Sequence, residues 1–432
     1  MMKRLTDHLI VISFDCLSAL DFPILNELPH FQELIAHGSY CKGVETIYPS
    51  VTYPCHATIV TGKYPNRHGV VNNTLLQPGR ESPDWHWHRK SIKGTTLYDE
   101  ARKAGMTTAA LLWPVTAKGD IGYNMPEIFA NRPWHNQILV SLLNGSPLFQ
   151  LQMNRLFGHM RNGLNQPELD DFVLESTVET IKRKPDLLLV HFTDLDTMRH
   201  YHGFSSEEAH AALRRHDERL GRIIEALKEN GMYAKSTIVA LGDHSALDES
   251  KAVQLNVLLK EKGLISVNRR GKVTDWKAYC KGCDGSAYVY TRDPDSTQEV
   301  RSLLERLQPD PSNGIESILT GEEAAGKGAD ANCAFMLEAR HGFYFKDTLD
   351  GSFIHTITQE DVKDKRYTYG SHGYSPEKEN YSTIFMAAGK GIRPNLEIPS
   401  MRLIDEGPTF AKLLGLTLEN PDGKPIEELL DV

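Results

Sequence analysis

The sequence predicts an α/β protein: a mostly parallel sheet with helices on both faces, plus an inserted α+β cap. Three observations carry this expectation. Short apolar, β-rich runs recur at His8–Phe14 (HLIVISF), 107–113 (TTAALLW), 186–192 (DLLLVHF), 236–242 (STIVALG) and Thr383–Gly389 (TIFMAAG). None of them alternates apolar with polar residues, so each reads as a strand buried on both sides. Helix-like stretches at 94–105, 169–184 and 205–231 lie between these runs, and strand–helix alternation builds parallel sheets. From 264 to 369 the rhythm gives way to short β-like pieces with many Gly and charged residues, and it resumes near Tyr381. The chain therefore divides into a discontinuous core, residues 1–263 and 370–432, and a cap, residues 264–369.

Taken in order, the elements justify themselves locally. The opening MMKRLTDHLIVISFD holds an apolar run of strand length that ends in an acid, too short for a signal segment or a membrane span. The stretch after Thr52, PCHATIVTG, reads as a short helix with Pro54 in its first turn and Gly62 after its end. Residues 118–166, with Trp, Asn, Pro and Met, read as a lid or long connection. The helix at 205–231 begins with a capping-box pattern, Ser205 to Glu208, and closes on Gly231.

Composition excludes several classes of function. With 432 residues, 40% hydrophobic and 24% charged, the chain is globular rather than disordered. A formal charge of -9 and scattered Lys and Arg give no field for gripping a nucleic-acid duplex. Six cysteines in so long a chain are no disulfide framework, and without an export signal they are expected as thiols in the cytoplasm. Cys280 and Cys283 form a CxxC, but no second CxxC completes a zinc site.

Chemistry gathers at the strand ends. Ligands of open α/β sheets bind beyond the carboxyl ends of the strands. Asp15 ends the first strand; Asp196 follows the 186–192 run, with His200 four residues on; Asp243 and His244 follow the 236–242 run; His372 precedes the last core strand. Alone, each is an ordinary cap or core histidine. Together, three aspartates and three histidines make a mixed N/O set suited to Zn²⁺, with Mn²⁺ the alternative. Thr52, at a helix N-terminus where free N–H groups favour an alkoxide and a phosphoryl oxygen, is then a candidate metal-activated nucleophile rather than only a cap. Two divalent ions roughly 4 Å apart can hold both the attacking and the leaving oxygen of an in-line displacement at phosphorus. His191, His202 and His68 sit near these positions in sequence as candidates to orient the ligands.

The block YPSVTYPCHATIVTGKYPNRHGVVNN at 48–73, LWP at 112–114, the Asp196/His200 pair, GDH at 242–244 and SHG around His372 resemble the alkaline phosphatase superfamily. Within it they are most similar to the type I phosphodiesterase/nucleotide pyrophosphatase family. The resemblance implies an alkaline-phosphatase-like core and two divalent metal ions. Asp15, Thr52, Asp243 and His244 would surround the ion that activates the nucleophile, and Asp196, His200 and His372 would hold the second. It implies Asn73 as donor to a phosphoryl oxygen, where the local sequence alone also allows an Asn-rich turn. It implies Tyr53 as an aromatic against the leaving group, where a core aromatic is the alternative. The implied activity is hydrolysis of phosphodiester or pyrophosphate bonds in small-molecule, nucleotide-type substrates through a phosphothreonine. The alternatives are a phosphonoacetate-type C–P hydrolase, a phosphomonoesterase of the same superfamily, and a silent metal-keeping binder. No arginine stands at a matched position to clamp a monoester, which favours diesters. No membrane partner is expected, and the oligomeric state is left open.

Overall fold

The computed structural model describes residues 3–80 and 82–431. Its central sheet contains β1 (His8–Phe14), β2 (Ser39–Glu45), β3 (Thr108–Leu111), β4 (Tyr123–Met125), β5 (Leu187–Phe192), β6 (Ser236–Leu241) and a late strand, Thr383–Gly389. In space the order is β2, the late strand, β6, β1, β5, β3, β4, with short pieces at Leu396–Glu397 and Met401–Arg402 beside β2. The pairs β1–β5, β1–β6, β3–β5 and β3–β4 are parallel, while Thr383–Gly389 runs antiparallel to both neighbours.

Alternate residues of these strands enter two cores, which is why the runs are uninterruptedly apolar. Leu9, Val11, Leu187, Leu189, Val239, Leu241, Phe385 and Ala387 point to one face. Ile10, Ile12, Leu188, Val190, Ile238, Ala240, Ile384 and Met386 point to the other. Burying one such side chain stabilises by about 1.5–3 kcal/mol. On the second face pack α4 (Glu168–Ile181) and α6 (Glu207–Glu229). The first face is covered by α1 (Thr52–Thr61). Between these in sequence lie α2 (Gln137–Asn144), α3 (Pro147–Phe157) and α5 (Asp194–His202).

Two local readings are corrected. The long helix is capped by Ser206, not Ser205: the Ser206 side chain accepts from the Ala209 N–H. Residues 118–166, read as a lid or long connection, hold regular elements: β4, α2 and α3 fall within them.

After β6 comes β7 (Leu247–Val253), followed by β8 (Ala278–Cys283), β9 (Ser286–Thr291), β10 (Ile315–Thr320) and β11 (Phe335–Ala339). The strands β8 to β11 form an antiparallel sheet in the order β8-β9-β11-β10. β12 (Gly342–Phe345) and β13 (Ile354–Thr356) both pair with β7. A strand from before residue 264 thus shares a sheet with strands from 264–369, and the boundary drawn there cuts through hydrogen-bonded pairs. The late strand Thr383–Gly389 is β14.

Candidate active site

The register of the sheet sets the geometry. Phe14 of β1 lies beside Phe192 of β5, and Ser13 lies beside Leu241 of β6. Asp15, the start of α5 and the Gly242–His244 turn therefore emerge at one level. Gly242 is required here: a Cβ would stand 2.0 Å from the Leu17 carbonyl oxygen and 2.3 Å from Thr383 Oγ1. Cys16 takes a left-handed φ of 68°, an uncommon conformation for a residue with a side chain. Its N–H donates to Asp243 Oδ1 at 3.2 Å.

Thr52 is the first residue of α1, after an extended Val51, and Gly62 closes that helix at φ 65°. Its hydroxyl lies 3.3 Å from His244 Nε2. Two groups of ligand-type atoms gather at this end of the sheet: Asp15, Asp243 and His244, and Asp196, His200 and His372. Within each group the atoms lie within 4.8 Å of one another. A further combination, Cys16 with Asp196 and His244, joins the two. Asp196 and His200 are one turn apart on α5, 3.3 Å between Oδ2 and Nε2. The His200 Nδ1–H donates to the Gly370 carbonyl at 2.8 Å, which leaves Nε2 bare. His244 likewise spends Nδ1 on the Ser245 carbonyl, and its Nε2 lies 3.3 Å from both Asp15 Oδ1 and Asp243 Oδ2.

The donor set fits divalent cations. His191 Nε2–H donates to Asp15 Oδ2 at 3.1 Å, and Asp243 Oδ1 accepts from Cys16. Their other oxygens, Asp15 Oδ1 and Asp243 Oδ2, are buried without partners, as is Asp196 Oδ1. Orphaned buried carboxylate oxygens are costly, and a bound cation would satisfy them. Burial, and then the carboxylates of Asp243 and Asp196, push the Asp15 carboxyl well above its ordinary range. Burial also pushes Asp243 up to about 7. The imidazole of His244 is held down to about 3 by burial, and that of His372 well below its usual value for the same reason, so both are neutral and able to ligate.

The remaining candidates fall in several places. Asn73 Oδ1 accepts from the Tyr53 N–H at 2.8 Å, so its NH₂ is the end left to present. Both residues line a cavity of about 930 Å³ together with Asp15, Thr52, Asp196, His200 and His372. The Tyr53 ring, expected against the leaving group, is instead fully buried. Its hydroxyl donates to Glu127 Oε1 and its ring sits edge-on to Trp85, which leaves Trp85 as the more accessible aromatic on the cavity wall. Asp194 is taken up by Arg215 and Arg219. Of the three orienting histidines, His191 touches a ligand; His202 lies beside Glu208, and His68 bonds Thr58 in the core.

Sequence reasoning missed two residues. His56, one turn after Thr52 on α1, places Nδ1 3.5 Å from Asp243 Oδ2; its i+4 spacing from Thr52 was a usable signal. Glu127 bridges Tyr53 and His191 Nδ1, and nothing in its local sequence marks it.

A sheet that gathers Asp and His clusters and a helix-leading threonine at its strand ends defines the alkaline phosphatase superfamily. Within it the chain belongs to the type I phosphodiesterase/nucleotide pyrophosphatase family, whose sequence profile matches residues 9–375. It is 23% identical over 406 residues to the venom phosphodiesterase of Macrovipera lebetinus, covering 90% of this chain and 41% of that one. Human ectonucleotide pyrophosphatase/phosphodiesterase family member 5 is 21% identical over 442 residues, 98% of this chain and 78% of the relative. The solved human structure of that protein superposes with a TM-score of 0.68 at 19% identity, covering 99% of this chain and 100% of the other. An inactive variant of its murine counterpart in complex with AMP gives the same score. The chain spans about two fifths of the length of the venom phosphodiesterases it matches.

Proposed function

We propose that the protein hydrolyses phosphodiester or pyrophosphate bonds of nucleotide-type small molecules, with Thr52 as the nucleophile. The observation that carries this reading is the hydroxyl of Thr52 in contact with His244 of one Asp/His group and lining one cavity with the other, carboxylate oxygens of both groups lacking partners. Asp15, Asp243, His244 and Thr52 would hold one ion and Asp196, His200 and His372 the other; the N/O donors suit Zn²⁺, with Mn²⁺ the alternative. Bound ions would supply the Lewis acidity that lowers the hydroxyl pKa and offsets charge on the phosphoryl group. The Thr52 oxygen bonds to phosphorus, the P–O bond to the leaving group breaks, and the leaving oxygen takes up a proton. Water then cleaves the phosphothreonine, which gives overall retention at phosphorus. The NH₂ of Asn73 donates to a phosphoryl oxygen as charge develops there.

A diester is favoured over a monoester or phosphonoacetate because Arg161 is the one cation among the residues lining this cavity. Lys63, Arg67 and Lys118 do not line it. Arg67 pairs with Asp422, and the Lys63 ammonium lies beside Gly94. AMP bound to the murine relative supports a nucleotide-type substrate. The six cysteines are buried free thiols, in keeping with the cytoplasmic setting that this reading includes.

Hydrolysis of bis-p-nitrophenyl phosphate with Zn²⁺ and with EDTA tests the proposal. Turnover should be EDTA-sensitive, and Thr52→Ala should lower it by about 10³-fold or more while metal content stays near wild type. Turnover indifferent to EDTA, a Thr52→Ala enzyme with wild-type rates, or inversion at phosphorus would each overturn it.

A further inference from the structure

The surroundings of the site are unlike on its two sides. Among the described residues, most of the exposed large apolar side chains lie between Trp134 and Leu164. No residue of the helix α2 is buried, although six of its eight residues, in QILVSLLN, are apolar or serine. This is not a plain solvated surface, because the side chains run into the catalytic cavity: Ile138 and Leu142 of α2, Leu151 of α3, Leu164, Leu169 and Phe172 all line it. Ile138, Leu151 and Leu164 are 59%, 48% and 62% exposed, so the apolar wall continues from the floor to the rim. From residue 128 to residue 167 the chain carries no Asp or Glu, in a protein of formal charge -9.

The other side is polar. A second cavity of about 1370 Å³ shares Asn73, Trp85 and Asp284 with the first. It is lined by Arg80, Arg132, Arg270, Lys272, Lys281 and Lys346 against the carboxylates of Asp284, Asp347 and Asp350. Asp347 is bonded to Lys281 and Asp350 to Lys260, whereas Arg270, Lys272 and Lys346 form no ion pair among the described residues. Asn73 marks the junction of the two.

We infer that the substrate is amphiphilic, a diphosphate diester with a long apolar chain on one side and a polar, anionic head on the other. This rests on the hydrolase reading above. The chain lies along the 138–172 wall, where each methylene removed from water adds to binding, and the head lies in the basic cavity. Water is the only co-reactant: one P–O bond of the anhydride breaks, one forms to the water oxygen, and an alkyl phosphate and the phosphorylated head leave.

Alkyl esters of ADP, ethyl against dodecyl, test this on the Zn²⁺-loaded full chain below the aggregation threshold of the dodecyl ester, with AMP release followed by chromatography. The KM for the dodecyl ester should be at least 10-fold below that for the ethyl ester. In the double variant Leu142→Asn, Leu164→Asn that ratio should fall below threefold, while Leu143→Asn, whose side chain is outside the cavity lining, keeps it. A wild-type ratio within twofold of one, with EDTA-sensitive hydrolysis of both esters, overturns the inference and leaves the hydrolase reading standing. No hydrolysis of either ester, or of bis-p-nitrophenyl phosphate, sinks both.

Discussion

The candidate metal ligands are aimed by single hydrogen bonds. Asp15 has one oxygen on His191 and the other bare, and His191 is itself held through Nδ1 by Glu127. Although burial opposes it, the bonds to Asp15 and Glu127 keep the His191 imidazole charged well above its ordinary range. His191→Leu removes the donor that holds Asp15 Oδ2. Partners in this position are typically worth 10–100-fold in metal affinity, so the variant should bind Zn²⁺ about that much more weakly in a competition titration against a chromogenic chelator. Wild-type affinity in that titration would show that Glu127–His191 does not tune the ligand. The far end of this chain was illegible in the sequence: Asp15 announces itself by ending a strand, but Glu127 meets His191 only because β4 and β5 lie on either side of β3.

Elements were more legible than their ends. Five strands and four helices were readable because burial on both faces writes continuous apolar runs, and because Gly62 and Gly231 mark helix ends by their left-handed φ. The start of α6 was misread by one residue, since Ser205 and Ser206 both precede glutamates and sequence alone does not say which serine turns extended. Ser206 does, at φ -70° and ψ 161°, and its side chain takes the Ala209 N–H. Ser206→Ala should therefore destabilise the protein by about 1 kcal/mol, while Ser205→Ala should stay within about 0.5 kcal/mol of wild type. Denaturant melts of the two variants decide it, and equal effects would contradict the assigned cap. The helices at 137–157 were hidden for a different reason. In α2 no residue is buried and the apolar side chains face solvent and the cavity, and in α3 Phe149 and Met153 alone among the apolar residues are buried in a core, too few to write a clear stripe.

On the scale of the whole molecule, residues 264–369 are tied to the rest of the chain by buried polar groups, which no periodicity could have revealed. Tyr48, four residues before Thr52, donates to Glu338 of β11. Lys378 reaches both Glu316 and Glu338. Tyr374, two residues after His372, bonds Glu249 of β7 and, in residues 264–369, the Phe343 carbonyl of β12. The second Glu249 oxygen is buried without a partner, and burial pushes this carboxyl up to about 9. Its folded pKa thus lies above the unfolded value of about 4.3, so the folded state holds a proton that the unfolded state gives up as pH rises. Its contribution to stability is complete below pH about 4 and declines from there towards pH 9, at up to about 1.4 kcal/mol per pH unit. Glu249→Gln stays neutral and still offers an oxygen to the Tyr374 hydroxyl. Between pH 5 and pH 8.5 the Tm of the wild type should fall more steeply than that of the variant, with the two curves converging near pH 5. Parallel curves would mean that Glu249 ionises as freely in the folded protein as in the unfolded chain, and that no neutral carboxyl stands between β7 and Tyr374.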